Sequence, residues 1–171
     1  MTTRFAAVDF LTFSYRISGK VGLTSAGVMG LLANPTSSFI DVHEANMSYI
    51  HAPNKLASQS AVMGITKAKV SAICLSRRDE IGPVAVFRGS YVKLNPYPIR
   101  ITTPVFQIEG TLEWSGRFNF STLMAEDIFP FIPMFDAVLQ AILFPAFRIE
   151  SPALLFNRNY VETLSLLRET L

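Results

Sequence analysis

Two histidines and one cysteine are the residues of this chain most often found as metal ligands, and their spacing is unfavourable. His43 and His51 lie in strand-like sequence at a separation that puts them on one face but too far apart to ligate one ion. Cys74 lies in the apolar run AICL, which is typical of a buried, unreactive thiol. The sequence therefore predicts no metal site, no cofactor site and no disulfide within the chain.

Motifs for catalysis and nucleotide binding are also missing. Gly19-Lys20 lacks the leading glycine and the following Ser or Thr of a P-loop, and neither G-x-G-x-x-G nor G-x-S-x-G occurs. Two carboxylate pairs, Asp79-Glu80 and Glu126-Asp127, consist of adjacent residues in turn-like segments, where such residues normally form caps and turns. We therefore predict no catalytic residue and a protein that is not an enzyme.

Positive charge is concentrated in the middle of the chain. Residues 48–107 hold eight basic and two acidic side chains, whereas the later residues hold four basic and eight acidic ones. A basic stretch can bind the phosphates of nucleic acid or an anionic membrane surface. The candidate contacts for such an anionic partner are Lys67, Lys69, Arg77, Arg78 and Arg88. No RNP or GXXG motif accompanies them, so a binding module of this kind is the alternative function.

The composition is apolar for a chain of this length. Hydrophobic residues make up 50% and charged residues 16%, compared with about 25% charged in typical domains. No basic segment followed by an unbroken apolar stretch opens the sequence, so we expect no secretory signal and a cytoplasmic protein. Residues 128–147 are nearly uncharged, but Pro130, Pro133 and Asp136 disfavour a transmembrane helix. The apolar excess therefore favours surface that a partner subunit covers.

The sequence repeats itself in its two halves. Matches occur at separations of 91, then 92, then 80 residues, and twelve identities accumulate where chance would give about three. The matched pairs include Gly19 with Gly110, Glu44-Ala45 with Asp136-Ala137, and Arg78 with Arg158. This pattern predicts an internal duplication. The final change of separation predicts an insertion in the first copy, near Lys55 to Lys67.

Alternating apolar and polar residues predict strands in both halves, with short helical turns between them. We expect a mainly β protein of two tandem, related β-rich units, folded as small barrels or rolls about a pseudo-twofold axis. The units are residues 1–94 and 95–171, and Asn95, Pro96 and Pro98 mark the linker. A glycine within a strand indicates a bulge or a close backbone approach, which applies to Gly19 and Gly110.

The repeated motif resembles small bacterial β-domains that are grouped as uncharacterised. It consists of I-x-G-x-[VL], a short helical turn, F-I, [DE]-A four residues beyond, and later an apolar strand that reaches an Arg turn. The first copy is carried by Ile17 to Val21, Phe39-Ile40, Glu44-Ala45 and Arg78, and the second by Ile108 to Leu112, Phe131-Ile132, Asp136-Ala137 and Arg158. The resemblance implies a tandem β fold and a bacterial origin, and it implies no activity.

Residues 128–147 are the strongest candidate for a protein interface. FIPMF at 131–135 is apolar at every position, which predicts burial on both faces, and another chain would cover one of them. The alternative is that the C-terminal segment of the same chain covers that face. The candidate anchors are Phe129, Phe131, Phe135, Phe144 and Phe147. We therefore predict a non-enzymatic structural or scaffolding subunit that forms a homo-oligomer, with other protein subunits as further partners.

Overall fold

The computed structural model describes residues 3–83, 93–125 and 129–167, and strands dominate these ranges. The strands are β1 (Arg4–Leu11), β2 (Tyr15–Leu23), β3 (Phe39–Tyr49), β4 (Ala52–Thr66), β5 (Ala72–Leu75), β6 (Leu94–Thr102), β7 (Phe106–Ser115), β8 (Phe131–Ala141), β9 (Arg148–Asn157) and β10 (Thr163–Leu166). The helices are α1 (Gly27–Ala33) and α2 (Phe120–Ala125), and short 3-10 turns span Lys67–Lys69, Arg78–Ile81 and Arg158–Tyr160. A mainly β fold is thereby confirmed. Within the described ranges no helix is long and apolar enough to cross a bilayer.

All these strands form one antiparallel sheet in the order β10-β6-β7-β8-β9-β5-β1-β2-β3-β4. Each half of the chain contributes five neighbouring strands in the same order, namely its fifth, first, second, third and fourth. The halves join where β5 pairs with β9, from Ala72 opposite Phe156 to Leu75 opposite Ala153. Among the described residues, the two outermost strands, β10 and β4, each pair on one side only and are the free edges of the sheet.

Local details recur in the two halves. In each half a threonine hydroxyl accepts a hydrogen bond from the amide three residues on, a glycine marks a register shift in the second strand, and an acidic residue with positive φ lies in the third strand. The recurring pairs are Thr12 with Thr103, Gly19 with Gly110, and Glu44 with Asp136. The halves therefore share one folding pattern. Their origin from a duplicated gene stays a prediction.

Hydrophobic residues form two clusters on opposite faces of the central strands. In β5, Ile73 and Leu75 pack in the first core, whereas Ala72 and Cys74 pack in the second core. The first core surrounds α1 and the second surrounds α2. Because successive side chains of a strand point to opposite faces, β5 separates the two cores and is buried on both sides.

The sequence match at a separation of 80 residues is wrong. Arg78 begins the 3-10 turn after β5, whereas Arg158 begins the turn between β9 and β10. The structural counterpart of Arg158 is Lys67. The Arg158 amide donates to the Pro130 carbonyl over 2.7 Å, and the Lys67 amide donates to the Ser38 carbonyl over 2.9 Å. Each acceptor lies just before the third strand of its half. Residues 55–66 are therefore no insertion but part of β4, which pairs with β3. Most of β4 is exposed, so its polar composition lacks the alternation of a half-buried strand.

The predicted linker is also wrong, because Asn95, Pro96 and Pro98 lie within β6. The Pro98 carbonyl accepts a hydrogen bond from the Leu167 amide over 2.9 Å, so the nitrogen of Pro98 also faces the β10 side. Strand β10 pairs with β6 only along Ile99–Thr102. Because the proline nitrogens face away from β7, their missing N–H groups remove no hydrogen bond between β6 and β7. This explains why β6 tolerates the prolines.

Candidate protein interface

The structure separates the five phenylalanines that were predicted as interface anchors. Phe131, Phe135 and Phe147 are buried inside the chain, and Phe129 is half-buried. Phe144 alone among the five is well exposed, at 44% of its surface. Buried side chains offer no area to a partner, so three of the five anchors are corrected to core residues.

Phe131 and Phe135 are buried because both faces of β8 are covered within the chain. Phe131 and Phe135 pack in the first core, whereas Ile132 and Met134 pack in the second. The uninterrupted apolar sequence of β8 correctly indicates two covered faces. The first half of the same chain covers the face that was assigned to a partner. As an interface prediction, the segment keeps only Phe129 and Phe144.

Exposed apolar side chains gather where the strand connections of the two halves meet. We call Phe13, Tyr49, Ile142, Leu143 and Phe144 the loop-end cluster. Leu143 has the largest exposure, at 82%. The members from the first half, Phe13 and Tyr49, were not predicted from the sequence. In the second half, the run Ile142 to Phe144 before a proline is a sequence signal of an apolar connection. Clustered apolar exposure of this kind marks interaction surfaces.

An aromatic groove of about 330 Å³ lies beside the loop-end cluster. Its wall is a row of four rings. The ring centroids of Tyr15 and Tyr49 are 5.3 Å apart, those of Tyr49 and His51 are 5.1 Å apart, and those of His51 and Phe144 are 6.0 Å apart. Val105 at the β6–β7 turn lines the groove from the other half. A row of neighbouring rings with one imidazole favours recognition of apolar groups rather than a chemical reaction.

The free edges of the sheet carry a second set of exposed apolar side chains. Leu56 and Val62 lie on β4, Phe39 lies on the neighbouring β3, and Leu166 lies on β10. The exposed fractions of these four side chains range from 43% to 55%. A free edge also presents backbone N–H and C=O groups that can pair with another strand. Each edge therefore combines apolar surface with open backbone groups.

Two of the candidate contacts for an anionic partner are paired with carboxylates. Arg77 lies 2.8 Å from Asp79, and Arg78 lies 2.7 Å from Glu113. The Arg78 guanidinium also lies 3.9 Å from the centroid of the Phe135 ring. These contacts direct both charges toward groups of the same chain, which leaves less positive potential for a phosphate.

The remaining basic candidates are Lys67, Lys69 and Arg88. The Lys67 ammonium donates to the carbonyl of Asn34 over 2.9 Å, just after α1, and burial lowers the pKa of Lys67. Lys69 is exposed. Arg88 lies outside the described residues. Of the four described candidates, three therefore already contact carboxylate or carbonyl groups of the same chain.

The groups with catalytic potential are kept apart. Burial raises the pKa of the Cys74 thiol to about 12, which disfavours its nucleophilic form. Glu80 accepts hydrogen bonds from the amides of Ser76 and Arg77 over 3.2 Å, as a cap does. Glu126-Asp127 lies outside the described residues. No group of three His, Cys, Asp or Glu side chains in the described ranges could hold a metal ion.

Comparison with known proteins finds no match among family models, curated proteins or solved structures. The resemblance to bacterial β-domains therefore stays a prediction, and the function must be inferred from the surfaces described above.

Proposed function

We propose that this protein is a non-enzymatic structural subunit that assembles with further copies of itself through its apolar surface. One observation carries the proposal: large exposed apolar side chains concentrate on the loop-end cluster and on both free edges of an open sheet. A monomer would keep these side chains in water, together with the unpaired backbone groups of the edges.

Association costs about 4–15 kcal/mol in lost freedom, whereas fully burying one large apolar side chain stabilises an assembly by about 1.5–3 kcal/mol. Val62, Leu166, Leu143 and Phe144 are each exposed by more than two fifths, and a partner would bury only that exposed part. Self-association therefore requires that many of these side chains are covered together.

The alternative, a binding module for nucleic acid or an anionic membrane surface, has weaker support. It needs basic side chains that are free to meet phosphate, and the Arg77 and Arg78 guanidiniums already lie beside carboxylates. Phosphate binding would also weaken steeply as salt is raised, whereas apolar association would not.

Light scattering after size-exclusion chromatography tests the proposal over a range of protein concentrations, at low and high salt. We expect masses that rise with concentration above 19.0 kDa and that persist in high salt. Dilution should reverse the increase, which separates assembly from aggregation. A chain that stays monomeric at every concentration would refute self-association. Heparin binding that is lost in high salt would then favour the alternative.

A further inference from the structure

The free edges of the sheet are counterparts of the two strands that already pair at the centre. Strand β10 holds in the second half the place that β5 holds in the first, and β4 corresponds in the same way to β9. Strands β5 and β9 pair with each other and join the halves. Each copy therefore forms this junction once internally, between β5 and β9. It also presents the counterparts of these two strands, β10 and β4, at its two ends.

Side-chain burial follows the same correspondence. Leu75, Ala153 and Phe131 are all less than 5% exposed around the internal junction. Their counterparts at the ends of the molecule remain apolar but are exposed: Leu166 by 43%, Val62 by 52% and Phe39 by 55%. Apolar residues are thus kept at positions where only a neighbouring copy would cover them.

We propose that β10 of one copy pairs antiparallel with β4 of the next, in the register of the β5–β9 junction. This inference rests on the proposed self-association and specifies its geometry. The internal pairs Ala72 with Phe156 and Leu75 with Ala153 set that register. Transferred to the ends of the molecule, they place Thr163 opposite Ile65, Leu164 opposite Gly64, Ser165 opposite Met63, and Leu166 opposite Val62 of the neighbouring copy.

The backbone groups at both edges are oriented for this pairing. At the internal junction the Asn157 amide donates to the Ser71 carbonyl over 2.9 Å. The counterpart donor is Thr66 in β4. The next amide, that of Lys67, points back toward β3, so the Thr66 amide points outward, because amides alternate along a strand. The counterpart acceptor is the Glu162 carbonyl, which lies just before β10.

Within the proposed contact, neither edge carries a lysine or a proline. Residues 62–65 of β4 read VMGI and β10 reads TLSL, without charge or proline. Lysine and proline are the common means of blocking an edge. In β4, Pro53 and Lys55 lie near the opposite end of the strand, away from the proposed contact.

A contact of this kind is heterologous, since each copy uses a different strand at each end. Such contacts continue from copy to copy and form either closed rings or open filaments. A symmetric dimer through two identical edges would instead stop after one contact. The two geometries can therefore be distinguished by blocking one edge at a time.

The test uses Val62→Lys and Leu166→Lys, which place a charge at one edge each. Both side chains are already exposed, so the folded subunit should tolerate the change. We expect each variant alone to associate about tenfold or more weakly than the unmodified chain, since an edge lysine opposes strand addition. A mixture of the two should form a complex of twice 19.0 kDa, because each variant keeps the edge that the other lacks.

Matched controls keep the outcomes separate. Leu56→Lys puts the same charge on an exposed residue of β4 outside the proposed contact, and it should leave assembly unchanged. Circular dichroism and melting of every variant show whether the subunit stays folded. A combined Leu143→Ser and Phe144→Ser variant tests the loop-end cluster.

Each negative result would refute one hypothesis, either the strand pairing or self-association itself. Assembly that survives both edge variants and is lost in the loop-end variant would overturn strand pairing while keeping self-association. Loss of assembly in Val62→Lys alone, without recovery on mixing, would indicate a symmetric β4 contact and overturn the head-to-tail geometry. If the unmodified chain never exceeds 19.0 kDa, self-association itself is refuted.

Discussion

Single residues determine how closely neighbouring strands approach in this sheet. A Cβ atom on Gly19 would meet the Val42 side chain and would lie 2.8 Å from the His43 carbonyl oxygen. One on Gly110 would lie 2.6 Å from the Met134 side chain and 3.0 Å from a carbonyl oxygen. Both glycines lie at register shifts, so the bulge and the close approach expected from the sequence are confirmed.

Alanine substitution should reveal a difference between these two sites. Gly19→Ala should lower the free energy of unfolding by about 1–3 kcal/mol, because stiff Val42 and the backbone must move. Gly110→Ala should cost less, since Met134 can change rotamer. Urea unfolding measures both effects. Gly64→Ala is the control, as its added Cβ would meet only the Phe39 ring at 3.8 Å. Equal costs for the first two variants would contradict this account of the close approach.

Single buried polar side chains also stabilise the junction of the two halves by hydrogen bonds. The Asn157 amide group donates to the Val70 carbonyl over 2.9 Å, and the Ser151 hydroxyl donates to the Leu75 carbonyl over the same distance. These bonds connect β9 to the backbone around β5. Sequence alone cannot find such partners, because the bonded residues are far apart in the chain.

At the scale of elements, the sequence predicted those strands whose two faces differ. Strand β2 alternates between buried and more exposed residues, and this alternation is visible in its sequence. Strand β4 is exposed on both faces over most of its length, so no periodicity marks it. Strand β6 contains prolines, which usually end strands and are tolerated here because their nitrogens face away from β7. Elements whose surroundings depend on tertiary structure were therefore the ones missed.

Hydrogen exchange should rank the strands by their position in the sheet. Amides of β5 and β9 should exchange most slowly in the dilute protein, because these strands are paired on both sides and buried. Amides on the outer side of β4 and β10 should exchange fastest among the strands. Mass spectrometry of peptides at low and high protein concentration measures this order.

The same experiment bears on assembly. At high concentration, peptides that cover residues 62–66 and 163–166 should become protected, by about tenfold or more if the edges pair. A peptide from residues 52–60 of β4 is the internal control and should change little. Protection confined to the loop-end cluster would argue against strand addition.

At the scale of the whole molecule, self-similarity of the sequence indicated two related units. It did not indicate that both belong to one continuous sheet with two cores on opposite faces. The run AICL of β5 contained that information, since an apolar residue at every position requires cover on both faces. The same reasoning identified two covered faces for β8, but the identity of the cover depends on which strands pair, and pairing is not encoded locally. The predicted interface was corrected for this reason.

The division into units 1–94 and 95–171 stays a prediction, and the shared junction sets a test for it. Phe131, Phe135, Ala153 and Leu155 of the second half complete the first core. Neither half should therefore keep its full stability alone. A specific protease site inserted within residues 84–92, which lie between the two halves in sequence, makes a variant that can be treated with protease under native conditions. We expect the two fragments to stay together at the mass of the intact subunit, because the β5–β9 pairs and both cores hold them.

Melting and dilution after cleavage then measure how strongly the halves depend on each other. The cut protein should melt at a lower temperature, and its melting should depend on concentration, since unfolding now also separates two chains. Fragments purified apart in denaturant should lack a cooperative transition until they are mixed, because each lacks apolar cover for one face of its junction strand. The matched control is uncut protein that carries the same inserted site. Two fragments that separate on dilution and each melt cooperatively would show that the halves are independent domains, and that the central junction contributes little to the stability of either.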